Sequence, residues 1–508
     1  MDAADSELVL GLIRHGELPT LAALAGRGGV ARLETAPPFS PEASWPTIVT
    51  GCLPDKHGVY NWRAIVPGTQ RLVRTPARTY RQPFWTQLRR TDQRALLIDV
   101  PATSRREDDG LVELLGWGQR GAPRHHSWPP DLLDRVNGRY GRYPSGLDDE
   151  HHGRRSRGMR LLRDLKRMTE VRTEIAADLM RDHEWNLCLV AYFETHYGGH
   201  AFHRYLDPDS WGHDQGRRWH SSSLVDLYRS FDRSLEGLLD VAGPDANVLV
   251  FSGFGMRANT NNLAVLEQVM IGLGYQVPRS SSASARSTES LRRLAVDAVP
   301  GRFRRAVNRR LPEGTSDRHL ERLWLESTDW DRTSAYALGE PGHSFVRLTH
   351  PERPEAEALR DEIAEELGRL TDVETGRPAV DRVTHRDRVF SGPNAHALPD
   401  LSIAWSHGPF MRRVRHPRLG EVEEDLRHIK PSEHTEEAFV IAAGPGIQSG
   451  AGERAGHVSD LAPSVLHMHG LPIPQDMDGG PLDLVAESLG APRREDIDIA
   501  DEDPWRDY

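Results

Sequence analysis

Cysteine is nearly absent: only Cys52 and Cys188 occur in 508 residues. They stand far apart beside apolar neighbours, which excludes a disulfide-stapled scaffold and fits a reducing, cytoplasmic compartment. Long apolar runs are missing too, so no membrane span and no cleavable leader is expected. A basic surplus is also lacking. With 75 acidic residues against 64 basic ones, the formal charge is -11, which argues against nucleic acid or an anionic membrane as a partner. Local arginine clusters such as Arg302 to Arg310 read as solvated helix faces. No repeat of solenoid length recurs. The chain is long enough to bury a large core, in one large domain with insertions or in two to three units.

The stretch from Ser40 to Gly58 is the most informative part of what is present. Ser40 is a favoured helix cap, Pro41 suits a first helical position, and Glu42 complements the positive end of the helix dipole. Free amides at such an end can hold a phosphate oxygen. Thr50-Gly51 and Pro54-Asp55-Lys56-His57-Gly58 follow as two glycine-closed turns. Further on, the short apolar run Leu187 to Phe193 reads as a central parallel strand covered on both faces. Glu194-Thr195-His196-Tyr197-Gly198-Gly199-His200 comes directly after it, where ligands bind beyond the carboxyl ends of parallel strands. His196 and His200 are spaced so that a helical turn puts both imidazoles on one face. A second strand, Val248 to Phe251, leads into Ser252-Gly253-Phe254-Gly255-Met256. His434 precedes an apolar strand, Ala438 to Ala443, which runs into Gly444-Pro445-Gly446-Ile447 and then Asp460 to Pro463.

Taken in this order, these motifs resemble the type I phosphodiesterase/nucleotide pyrophosphatase branch of the alkaline phosphatase superfamily. Asp329-Trp330 with Ala335-Tyr336, and Ala397 to Leu401, look like that family's connecting segments. The resemblance implies a three-layer α/β/α sandwich with a mostly parallel central sheet, and metal-dependent hydrolysis of a small-molecule phosphate ester, most naturally a diester or pyrophosphate. One or two divalent ions, zinc first among them, would neutralise the phosphoryl oxygens and activate the attacking group.

Carried over residue by residue, the resemblance makes Asp2 a metal ligand at the end of an opening strand whose body would either lie upstream of Met1, the favoured reading, or have been lost from the core. Asp5, Ser6 and Glu7 then read as the cap and first turn of a helix bearing Leu8, Leu12 and Ile13. Ser40 matches the nucleophile, one residue farther from Thr50-Gly51 than the family has it, and Ser44 competes for the role. Asn61 falls near the family's phosphate-binding asparagine. His196, His200 and His434 match one metal site, with His196 where the family has Asp, a change that shifts preference toward zinc. Glu194 is a further ligand candidate, while His203 and Asp207 stay unassigned. The departure is at Gly253 and Phe254, where the family supplies Asp and His. Three imidazoles and an open position would then make a one-metal hydrolase. A noncatalytic relative, or a sulfate- or phosphonate-ester hydrolase, is the alternative.

The anchors divide the chain into a first core part (1–278, including a charged helix through Arg154 to Met180), a linker and helical insertion (279–335), a second core part (336–490) and an acidic, flexible tail (491–508). Ser280 to Ser290 reads as the linker and Leu291 to Leu325 as the insertion, a lid that selects the leaving group. Ala356, Leu359, Ile363 and Leu367 mark an amphipathic helix.

Overall fold

The computed structural model describes residues 1–506 apart from 36–40, 77, 104–107, 119–125, 145–146, 148–154, 209, 211–212, 214–215, 260–264, 280–314, 341–342, 424–431 and 451. Ser40, the expected linker and most of the expected insertion therefore lie outside the described residues; Thr315–Ser327, at the insertion's end, is helical.

The strands that matter here are, in chain order, β1 (Gly29–Glu34), β2 (Ala95–Ile98), β3 (Leu111–Leu115), β4 (His126–Trp128), β5 (Leu187–Val190), β6 (Val248–Ser252), β7 (Gly255–Ala258), β8 (Ala335–Glu340), β9 (His343–Leu348), β10 (Val380–His385), β11 (Leu401–Trp405), β12 (Ser432–Thr435), β13 (Glu437–Ala443) and β14 (Gly452–His457). The helices are α1 (Ser6–Arg14), α2 (Pro19–Arg27), α3 (Ser44–Thr50), α4 (Arg155–Asp182), α5 (Glu194–Phe202), α6 (Ser223–Ala242), α7 (Val265–Leu273) and α8 (Ala356–Gly368).

Two sheets carry the main core, in the orders β14-β1-β13-β6 and β4-β3-β2-β5. β2 runs parallel to β3 and β5, and β1 to β14; β13 and β4 are the strands that run against their sheets. Ala95-Leu96-Leu97-Ile98 is buried at every position, as a strand covered on both faces requires. Helices supply the covering layers. On α6 the residues Leu224, Leu227, Phe231 and Leu235 recur at three- and four-residue spacing and are all buried. α1 begins as its sequence dictates, with Asp5 Oδ1 accepting the Leu8 N–H at 3.0 Å. No single helix is long and apolar enough to cross a membrane among the described residues.

β5 departs from expectation, since all of its residues keep partial exposure. One edge pairs with β2, whereas near its other edge and that of β6 the first residues of the chain enter at the carboxyl ends. The Met1 ammonium donates to Phe251 O at 2.8 Å and Asp2 N–H to Tyr192 O at 3.1 Å.

Residues 336–423 also differ from the expected return to the main sheet. β8, β9, β11 and β10 form a separate antiparallel sheet. It closes a second core with α7 and α8 around Val269, Ile363, Leu367, Ile403 and Trp405. The expected stripe on α8 is what faces this core, so the apolar residues of the segment are satisfied without the main sheet. The chain rejoins that sheet at β13.

The tail is not flexible through Arg506. Ile499 and Trp505 are buried, Gln82 N–H donates to Ile499 O at 2.8 Å, and Asp501 N–H donates to Tyr80 O at 3.1 Å. Its acidic composition suggested solvation, but two apolar anchors and backbone pairing outweigh the charge.

Candidate metal centre

The centre starts at the turn from β5 into α5. His196 and His200 lie one turn apart on α5, with ring centroids 4.8 Å from each other. Two glycines between them, helix-weakening by about 1 kcal/mol each relative to Ala, let α5 approach its neighbours. A Cβ on Gly198 would stand 2.2 Å from Leu227 of α6, and one on Gly199 would stand 3.0 Å from Met256 of β7. Met256 is the register partner of His434 in the antiparallel β7–β12 ladder. Close approach of α5 to β7 therefore delivers the third imidazole, whose centroid lies 4.9 Å from His196 and 5.1 Å from His200. One candidate ligand atom from each ring lies within 4.8 Å of the others.

Hydrogen bonds orient two of the rings. His196 Nδ1 is 2.8 Å from Asp2 Oδ2, and His200 Nδ1 is 2.8 Å from Ser432 Oγ. With Nδ1 so engaged, Nε2 is the atom through which each of these two rings would bind an ion. A zinc-type ion, with Zn–N bonds of about 2.1 Å, would require the three nitrogens to draw somewhat closer. Donor type, convergence and oriented rings all fit such an ion. Phe254 packs against the group, 4.9 Å from the His434 ring and 6.3 Å from His196.

Asp2, expected as a ligand, instead holds His196 with one oxygen and accepts the Trp45 Nε1–H with the other at 2.7 Å. Burial alone would raise its carboxyl, but the His196 ring, the Trp45 N–H and His434 outweigh burial and hold it below its ordinary value. Glu194 is also directed elsewhere. Arg172 reaches it at 3.0 Å and Tyr143 OH donates to it at 3.0 Å, while the other arm of Arg172 binds Asp99. Arg172, Asp99 and Glu194 side chains are all fully buried, and their ion pairs anchor the first residue of α5. His203 pairs with Asp5 at 2.8 Å.

In the Ser40–Gly58 stretch, Pro41–Ala43 forms a 3-10 turn and α3 begins at Ser44. Ser44 is 1% exposed and its Oγ is buried without a hydrogen-bond partner among the described residues. Asn61 is buried, with Oδ1 accepting the Trp62 N–H at 2.7 Å. His57 is a strut: its Nδ1 accepts the Val59 N–H and its Nε2 meets Thr47 Oγ1 at 3.0 Å, tying the Pro54–His57 turn to α3.

Trp45, Arg172, Ser432 and the glycine pair were not singled out for these roles by the sequence. A lone buried arginine in a charged helix carries no local signal, but Gly198-Gly199 between two histidines inside a helix could have been read as a close-approach site.

The family described as type I phosphodiesterase / nucleotide pyrophosphatase matches residues 9–319. No curated protein matches the chain. Among solved structures, phosphonoacetate hydrolase from Sinorhizobium meliloti 1021 is similar with a TM-score of 0.51 and 13% identity, over 91% of this chain and 92% of that one. Human ectonucleotide pyrophosphatase / phosphodiesterase 5 matches with a TM-score of 0.47 and 11% identity, over 92% and 94%. The chain thus belongs to the type I phosphodiesterase / nucleotide pyrophosphatase family, and is by that membership a phosphate-ester hydrolase.

Proposed function

We propose that the protein hydrolyses a small phosphodiester or pyrophosphate at one divalent ion, zinc by preference, held by His196, His200 and His434. The convergence of these three imidazoles from α5 and β12 carries the reading. Such an ion supplies Lewis-acid polarisation of phosphoryl oxygens and lowers the pKa of an attacking group. Neutral imidazole ligands leave the ion's positive charge largely uncompensated, which favours an anionic ester. Ser40 is the attacking group to test first, because the Ser44 hydroxyl is enclosed at 1% exposure. In that step a Ser40 Oγ–phosphorus bond forms as the ester P–O bond breaks, the alcohol or phosphate leaving group departing with the serine's proton; water then attacks phosphorus, releasing the phosphoryl group and returning a proton to the serine. A cytoplasmic location belongs to the same proposal, supported by two free thiols at Cys52 and Cys188.

The test is ion analysis of the purified protein, followed by assays with bis-p-nitrophenyl phosphate, p-nitrophenyl phosphate and p-nitrophenyl sulfate after loading with zinc, manganese or magnesium. One ion per chain and preference for the diester are expected, with roughly 10²-fold or greater loss in His434→Ala and Ser40→Ala. No hydrolysis with any ion, or preference for the sulfate, overturns the proposal. Full turnover by Ser40→Ala removes Ser40 from the mechanism.

A further inference from the structure

We propose that Asp2 and Ser432 are positioning residues that present the His196 and His200 Nε2 atoms to a single ion, and that Trp45 keeps Asp2 from becoming a ligand itself. This rests on the ion centre proposed above and assigns its supporting groups. Asp2 is 3% exposed and both its oxygens are engaged, Oδ1 by Trp45 Nε1–H at 2.7 Å and Oδ2 by His196 Nδ1 at 2.8 Å. Its backbone is pinned as well. Asp2 N–H donates to Tyr192 O, and Thr195 Oγ1 donates to Asp2 O at 2.7 Å. A swing of the carboxylate toward an ion would break one of these buried bonds, and a buried donor left without its partner costs about 1–3 kcal/mol.

The chemistry of the pair is specific. A carboxylate facing Nδ1 demands that the proton sit on Nδ1, which leaves the Nε2 lone pair to bind an ion. Ser432 Oγ, at 2.8 Å from His200 Nδ1, can accept that ring's Nδ1–H and so support the same tautomer for the second ring without a charge. Trp45 cannot move easily to release Asp2, because its indole also packs on Phe251 at a centroid distance of 5.8 Å. A Cβ on Gly253 would meet Ile48 Cδ1 at 2.5 Å, and the Phe254 ring stands against His434. Neither Gly253 nor Phe254 carries a side-chain atom that could share a second ion with Asp2.

Co²⁺ titration of the full-length protein, followed by visible absorption and calorimetry, tests the assignment. The wild type is expected to take up one Co²⁺ per chain. Asp2→Asn and Ser432→Ala should each weaken Co²⁺ binding about tenfold or more, with the absorption band of the bound ion unchanged in position and intensity because the same three nitrogens still hold it. A variant that binds as tightly as wild type overturns its assignment. An altered or lost band in Asp2→Asn, or two Co²⁺ per wild-type chain, shows Asp2 to be a ligand and overturns the proposal. Circular dichroism checks each variant's fold; if Asp2→Asn does not fold, Ser432→Ala decides the claim for His200 and Asp2→Glu that for His196, by the same criteria. Failure of the wild type to bind Co²⁺ at all removes the ion centre itself, an outcome separate from failure of the positioning claim.

Discussion

Replacing His57 with Gln should change how stability responds to acid. His57 is fully buried, and its Nδ1 accepts the Val59 N–H at 3.1 Å, so the folded ring must be neutral. Its Nε2–H then donates to Thr47 Oγ1 at 3.0 Å, and Thr47 donates to Ala43 O at 2.9 Å. Burial, with the Arg81 charge adding to it, lowers the His57 pKa from 6.5 to about 3. The unfolded ring therefore takes up a proton below 6.5 that the folded ring refuses until about 3. Its contribution is fully present above 6.5 and falls as pH drops through that window. At pH 5, about 1.5 units below the unfolded value, the loss is roughly 2 kcal/mol at 1.36 kcal/mol per unit. Urea unfolding of wild type and His57→Gln at pH 8 and pH 5 isolates this amount, because other titrating groups cancel in the difference. The stability gap between the two proteins should shrink by about 2 kcal/mol in acid. A gap that stays constant would refute the neutral-strut account of the Pro54–Gly58 turn.

Three further outcomes follow from packing and charge. Arg172→Met leaves Asp99 and Glu194 buried without their cation and should cost roughly 3–5 kcal/mol in denaturant unfolding; a loss below about 1 kcal/mol would contradict the network's role. Trp505→Ala removes an anchor that is 8% exposed, so limited proteolysis should release the tail after Arg493 far faster than in wild type; equal protection would mean the anchor does not hold it. Ile363→Ala, at the centre of the second core, should cost roughly 2–5 kcal/mol and speed hydrogen exchange in β8, β9 and β11. Matching acceleration in β2 and β5 would show that the two cores do not open separately.

Several elements were legible because their signals are local. The cap at Asp5, the α8 stripe of Ala356, Ile363 and Leu367, and the placement of His196 and His200 on one helical face each depend on residues within a few turns of one another. The family's ordered motifs likewise pointed to the sandwich. Other readings failed where composition stood in for packing. The acidic tail looked flexible, yet Ile499 and Trp505 are buried; residues 336–423 looked like a return to the main sheet, yet α7 and α8 give them a core of their own.

By itself the chain's sequence determined which groups could bind an ion and that two of them share a helix face, since helical periodicity places residues four apart together whatever the rest of the protein does. The family resemblance already grouped His434 with them, and only the tertiary structure shows what brings it there: the β7–β12 register and the glycines that let α5 lie against Met256. Tertiary structure also turned Asp2 toward Trp45 and His196, and Glu194 toward Arg172. A carboxylate's role is set by whichever donors surround it in space, and those donors come from segments whose meeting no local pattern encodes.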